Sequence, residues 1–154
     1  MADLAWDFPQ PHIVEAQVSD DDVDILGHTN NVTYLRWLEQ AAWSHTTHLG
    51  LDMAAYEREN RAMVVHRHEI DYLGASYAGE SVQIGTWLVG NDKKLSTWRR
   101  YQVIRINDGR TLIRGFTHFV CADLKTGRPK RMPASFIAGY EPTVPEEFVY
   151  QVDS

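Results

Sequence analysis

Residues 24–39 read DILGHTNNVTYLRWLE, and how this stretch folds decides the rest. From Asn31 onward the apolar or small residues Tyr34, Leu35, Leu38, Ala41, Ala42 and Leu49 recur at spacings of three and four. That period gathers them on one helical face. The spacing predicts a helix from about Asn31 to Leu49. Thr29 or Asn30 can cap it, because a short polar side chain accepts from the unpaired N–H groups of a first helical turn. Gly50 can end it, because glycine tolerates the left-handed backbone of a helix terminus. No other stretch carries so long a helical pattern.

Upstream, Ile13–Val18 reads as a short strand, with residues 1–11 as a loose lead-in and Asp20–Asp24 as an acidic loop. Downstream come four strand-like runs: Ala62–Leu73, Ser81–Val89, Leu95–Ile106 and Arg110–Ala122. Ser81–Val89 alternates, with Val82, Ile84, Thr86 and Leu88 on one face. Asn107-Asp108-Gly109 signals a hairpin, since Asp-Gly accepts the positive φ of a tight turn. Gly74–Glu80 and Gly90–Lys93 mark the remaining turns. The tail carries Pro129, Pro133, Pro142 and Pro145 and reads as mostly irregular, with a helical turn at Ala134–Ala138. The expected order is strand, long helix, then four strands in a meander. That is an α+β layout with one helix covering one face of a five-stranded antiparallel sheet. The other face and the sheet edges need cover, so a homodimer or homotetramer is expected.

A chain of 154 residues with 44% apolar and 23% charged residues suits one ordinary domain spanning 1–154. Its core is expected at about 12–135. The net charge of −6 argues against a nucleic-acid partner, which calls for a basic face. Cys121 is the single cysteine, so no intrachain disulfide can form. The opening MADLAWDFPQP lacks a basic n-region and an apolar h-region, and no run approaches the roughly 18 apolar residues of a membrane span. A soluble, cytoplasmic protein with no membrane partner is the expectation. The pairs His45/His48 and His66/His68 have no Cys cluster or His-Glu-x-x-His pattern beside them, so surface or interface histidines are expected rather than a metal site.

The run Asp24, His28, Asn30-Asn31, Tyr34, Trp37 and Glu39 resembles the pattern D-x-x-x-H-x-N-N-x-x-Y-x-x-W-x-E of the 4-hydroxybenzoyl-CoA thioesterase family and its acyl-ACP thioesterase relatives. The segment Asp123–Pro133 resembles that family's closing stretch after the last strand. Together the likeness covers about residues 12–135. It implies a hotdog fold, in which a curved five-stranded antiparallel sheet wraps one long helix. It implies Asp24 as nucleophile or general base, the backbone N–H of Asn31 as the donor that polarises the thioester carbonyl, and His28 as a neighbour of the site. The chain departs from the acyl-ACP relatives at Leu26, where they tend to carry asparagine, which leaves Asp24 with fewer side-chain helpers. Ile25-Leu26 also replaces the Pro-Ala of bacterial relatives.

The same residues suit that chemistry on physical grounds. Thioester hydrolysis needs a group that attacks the carbonyl or activates water, and donors where charge grows on oxygen. A helix N-terminus supplies such donors through its unpaired N–H groups and positive dipole end. Catalytic candidates are therefore Asp24, His28 and Asn31. Gly27, Asn30 and Tyr34 are substrate-side candidates, and Arg128, Lys130 and Arg131 could hold the phosphates of an acyl-CoA. Taken alone, Asp24 reads as a turn residue, Asn30 and Asn31 as caps, Tyr34 and Trp37 as core or interface aromatics, and the arginines (Arg99 and Arg100 included) as surface charge. Glu39 sits beside the apolar stripe and is expected to be partly buried. The expected activity is hydrolysis of a small acyl-CoA without a cofactor. Alternatives are a hotdog module that binds acyl-CoA without cleaving it, and a dehydratase, for which His28 with Glu39 is a poor acid–base pair.

Overall fold

Why the chain folds as it does starts with α1 (Asn31–His48), which buries Tyr34, Trp37, Leu38 and Ala41. The computed structural model describes residues 3–151. Ahead of α1 lies β1 (His12–Gln17); after it come a short α2 (Met53–Glu59), β2 (Arg61–Tyr72), β3 (Ser81–Asn91), β4 (Ser96–Arg105), β5 (Thr111–Asp123) and α3 (Ala134–Gly139). The five strands form one antiparallel sheet that holds α1 on its inner face. Asn30 is the cap: its side chain accepts from Val32 N–H at 3.0 Å. The buried face of α1 packs with Val82, Ile84, Tyr101, Val103 and Ile113 of the sheet.

The sheet order is β1-β3-β4-β5-β2, which corrects the expected four-strand meander. Only β3, β4 and β5 follow one another. One edge of β3 is taken by β1 and the other by β4, so β2 cannot pair with β3 and instead joins the sheet beside β5. Gly74–Glu80 is therefore a crossover, not a tight turn. Register shifts at Val65/Arg67 and at Leu88/Gly90 are the irregularities that let strands bend around a helix. The Asn107-Asp108-Gly109 turn joins β4 to β5 as expected, with Gly109 at φ +70.

α2 was not legible from periodicity, since seven residues give less than two turns. Its signals are local: Asp52 accepts from Ala55 N–H at 2.9 Å, and Asn60 closes it in the left-handed conformation. With α3 it seals the far end of α1 through Leu51, Tyr56, Phe136 and Tyr140.

The lead-in is not loose. Trp6 and Phe8 pack on Trp87 against the outer face of the sheet, joined by Val149 and Tyr150 from the tail. Arg114 Nε pairs with Asp7 at 2.7 Å. At Gly85 an added Cβ would lie 2.6 Å from the Trp6 ring, so a larger residue would displace it. Both ends of the chain thus supply much of the cover assigned above to a second copy. The free edge of β2 stays open, with Val64 and Val65 exposed on it.

Leu38 is fully buried at the centre of this packing. Leu38→Ala is expected to lower stability by about 2–5 kcal/mol in urea unfolding, because the sheet cannot collapse into the gap; a loss well under 1 kcal/mol would mean that α1 does not seat the sheet.

Candidate active site

The loop into α1 is a small hairpin closed by an isolated bridge between Val23 and Thr29. Asp24 N–H donates to the His28 carbonyl at 2.8 Å, and Gly27 N–H donates to the Asp24 carbonyl at 2.9 Å. Gly27 turns the loop at φ +79, where a side chain would be strained. The Asp24 side chain serves the same turn: Oδ1 accepts from Leu26 N–H at 2.9 Å and from His28 N–H at 3.2 Å. Its other oxygen, Oδ2, has no hydrogen-bond partner among the described residues.

Beneath this loop the crossover is tied to α1. Thr29 N–H donates to the Ser76 carbonyl at 2.8 Å. Ser76 Oγ lies 2.6 Å from both Thr29 Oγ1 and the Tyr34 hydroxyl. His28 pairs with Tyr77 through an isolated bridge and stands edge-on to its ring, with centroids 5.2 Å apart. On the loop's outer side Arg36 holds Asp22 at 2.7 Å; backbone donation from Ser19 above all, then the Ser19 hydroxyl and Arg36, keeps that carboxyl below its usual range.

These ties create a cavity of about 280 Å³ between the α1 N-terminus and the end of β2. Asp24, His28, Asn31 and Tyr34 share its wall with Tyr72, Leu73 and Gly74. Of the first helical N–H groups, that of Val32 goes to the Asn30 side chain, and those of Thr33 and Tyr34 to the Asn30 carbonyl. The Asn31 N–H has no acceptor among the described residues, and Asn31 is one of the residues that line the cavity at the positive end of the helix. Gly27 and Asn30 shape the wall from behind as turn and cap. Tyr72, Leu73 and Gly74 escaped sequence reading because only the crossover brings them here.

Arg128, Lys130 and Arg131 lie elsewhere. Lys130 Nζ sits 3.7 Å from Asp123, and Arg61 Nε donates to the Arg131 carbonyl at 3.1 Å, at the start of β2. Twelve residues of β2 at ~3.3 Å each separate that end from Tyr72 by roughly 36 Å. Within one chain the basic cluster and the cavity are at opposite ends of the sheet.

The structure also revises three readings. Glu39 is exposed, on the rim of a second cavity. His45 is buried, not at the surface. Arg99 is buried too, while Arg100 lies over the Phe116 ring at 4.5 Å on the opposite face of β4. Period two along β4 puts Arg99 on the same face as Tyr101 and Val103, a signal that was present in the sequence.

A model of the thioesterase-like superfamily matches residues 18–139. The chain belongs to that superfamily. Over 97 residues it is 33% identical to zebrafish (Danio rerio) Protein THEM6, which amounts to 63% of this chain and 47% of that one. The chain thus spans about half the length of the curated relative it matches. Among solved structures it resembles a 1,4-dihydroxy-2-naphthoyl-CoA thioesterase from Synechocystis, with TM-score 0.75, 17% identity, and 85% and 96% of the two chains covered. It resembles SAV2348 from Staphylococcus aureus, solved in complex with CoA, with TM-score 0.77, 15% identity and coverage of 97% and 99%. It also resembles YbaW, a probable thioesterase from Escherichia coli, with TM-score 0.70, 23% identity and coverage of 83% and 95%. Likeness at these identities speaks for the fold, and the fold of this superfamily member is the hotdog. Among the described residues no helix is long and apolar enough to cross a membrane.

One titration follows from the buried residues. Arg99 donates to His45 Nδ1 at 2.8 Å, so that nitrogen carries a lone pair and the folded ring is neutral. Burial, then the Arg99 charge, lower the His45 pKa from 6.5 to about 3. An unfolded histidine takes up its proton below about 6.5, and the folded one only near 3. His45 therefore supports full stability above pH 6.5 and loses it as pH falls toward 3, with a slope of up to about 1.4 kcal/mol per pH unit. Urea unfolding across that range should show this slope, and His45→Gln should flatten it; equal slopes in both proteins would contradict a neutral buried ring.

Proposed function

We propose that the chain is an acyl-CoA thioesterase that hydrolyses a small acyl-CoA to the free acid and CoA. The observation that carries this is the shared wall: a carboxylate with one oxygen pinned by two backbone N–H groups, and a helix N-terminus with an unclaimed N–H, face one cavity. Family membership supports the same reading. The thioester carbonyl would rest against the Asn31 N–H, where charge developing on oxygen meets the positive helix end. Asp24 Oδ2 would then attack the carbonyl carbon, giving an anhydride that water opens, or take a proton from attacking water; by either route the C–S bond breaks and CoA leaves as its thiolate, which takes up a proton. His28 and Tyr34 line the same space and would orient the acyl group.

For the phosphates of CoA the mouth offers one cation of the same chain, the exposed Arg110, whose Nη2 donates to the Leu73 carbonyl at 3.0 Å beside Gly74. Pairing of two β2 edges antiparallel, in a homodimer, would bring a second copy's Arg128, Lys130 and Arg131 toward the cavity, since the two ends of β2 would exchange places. The unpaired edge with its exposed Val64 and Val65 supports that assembly.

Two measurements test this. Asp24→Asn should keep the fold and lower kcat for acyl-CoA hydrolysis by about 10²–10⁴-fold, read by CoA thiol release with a thiol-reactive dye. Cys121 adds no background there, because burial raises its thiol pKa to about 11. Unchanged rates in the variant would remove Asp24 from the chemistry; tight binding without thiol release by the parent protein would make it an acyl-CoA-binding module. Light scattering should give at least twice the monomer mass, and Val64→Lys with Val65→Glu should lower it; a monomeric parent would end the dimer proposal.

A further inference from the structure

The second cavity has no part in the chemistry proposed above. It has a volume of about 250 Å³ and lies under the second half of α1, between the helix and β2, β4 and β5. Ala42, Trp43, Met63, Val65 and Phe119 give it an apolar wall. Its rim includes the exposed Glu39 and Trp43. Deep in its wall is Arg99, at 1% exposure.

A guanidinium stays charged, and removing it from water costs several kcal/mol unless an anion answers it. Arg99 has no such answer. The partners of its donors are all neutral: Nη1 donates to His45 Nδ1 at 2.8 Å and to Thr86 Oγ1 at 3.1 Å, and Nη2 donates to Thr46 Oγ1 at 3.2 Å. No carboxylate lies within ion-pair distance of it among the described residues. Glu39, on the same cavity, makes no bond to it. Of the five guanidinium N–H groups three are used, and Nε is buried without any partner.

The three bonds leave Nε–H and one Nη2–H without a protein acceptor, two donors of the kind a carboxylate accepts. The side chain is already held in place by His45, Thr46 and Thr86, so a ligand would not have to order it. The neutrality of those three groups leaves the positive charge uncancelled.

We propose that this cavity is a carboxylate-binding subsite, in which Arg99 receives the charged end of a small organic acid whose apolar body lies along Ala42, Trp43 and Phe119. The volume sits a little below the ~300–1,000 Å³ of pockets for drug-sized ligands, which suits a short aliphatic or aryl acid. The carboxylate has two possible sources: a free acid, or, because Asn31 and His45 stand about 21 Å apart along α1, the far end of an acyl chain held at the Asn31 end of a second copy and carrying a second carboxyl group. The free-acid arm of the test stands without the proposed thioesterase activity; the acyl-chain arm rests on it.

Calorimetric titration of the Asp24→Asn protein with benzoate and hexanoate, each against its neutral amide, decides the matter. Both acids should bind, and the amides should bind at least tenfold more weakly. Arg99→Met should weaken the acids at least tenfold. Ala42→Phe, which fills the cavity and leaves Arg99 untouched, should do the same and guards against a misfolded arginine variant. Equal binding of acid and amide, no binding of acid at millimolar concentration, or acid binding unaffected by Ala42→Phe would each overturn the proposal. Hydrolysis of hexanoyl-CoA and adipoyl-CoA then separates the sources. A preference for adipoyl-CoA that Arg99→Met abolishes assigns the site to the acyl chain; equal kcat/KM with free-acid binding intact assigns it to a free acid. Failure of all hydrolysis would fall on the proposed activity and leave the calorimetric result standing.

Discussion

Helix α1 must bury a face that includes Tyr34, Trp37, Leu38 and Ala41, and the concave side of the sheet is the surface that receives it. That one burial orders the rest. It sets the direction of the loop that carries Asp24, because the loop enters the helix at its capped end. It also sets the far end, where α2 and α3 close over Leu51 and Tyr56. At about 25 cal/mol per Å² of apolar surface removed from water, such a face outweighs the local preferences of a few loop residues.

The two ends of the helix then acquire opposite characters. The N-terminal end keeps one open backbone donor, that of Asn31, and shares an open cavity with the Asp24 carboxylate. The C-terminal half sits over a buried guanidinium whose neighbours are neutral, so charge is stored there in low dielectric. A buried charge of this kind is costly for stability, and its cavity is lined by apolar side chains rather than by an answering acid. The hydroxyls of Tyr56 and Tyr140 bond to each other nearby, and burial raises the Tyr56 and Tyr140 pKa values, so neither supplies a negative charge to Arg99.

The outer face of the sheet shows how the ends of the chain are used. Trp87 and Val89 point away from α1 and would be exposed apolar surface on a bare sheet. Trp6 and Phe8 from one terminus and Val149 and Tyr150 from the other cover them. Nothing in the local pattern of residues 3–11 announces this, since two aromatics among prolines and aspartates read equally well as a loose segment.

What the sequence by itself determined was local. The period of α1, its Asn30 cap, the alternation of the strands and the Asp-Gly turn are set by neighbours three or four residues apart or by intrinsic backbone preference, so they were legible. The run from Asp24 to Glu39 was legible as a resemblance to the 4-hydroxybenzoyl-CoA thioesterase family, and that resemblance, not the local pattern, implied the candidate carboxylate and donor. The tertiary structure alone decided the rest: that β2 crosses to β5, that Tyr72 and Gly74 complete the cavity around Asp24, that Arg128–Arg131 lie at its opposite end, and that Arg99 is enclosed under α1. Each of these depends on contacts between residues far apart in the chain, and hydrophobic burial, which is not directional, leaves such pairings unspecified until the whole sheet has closed around its helix.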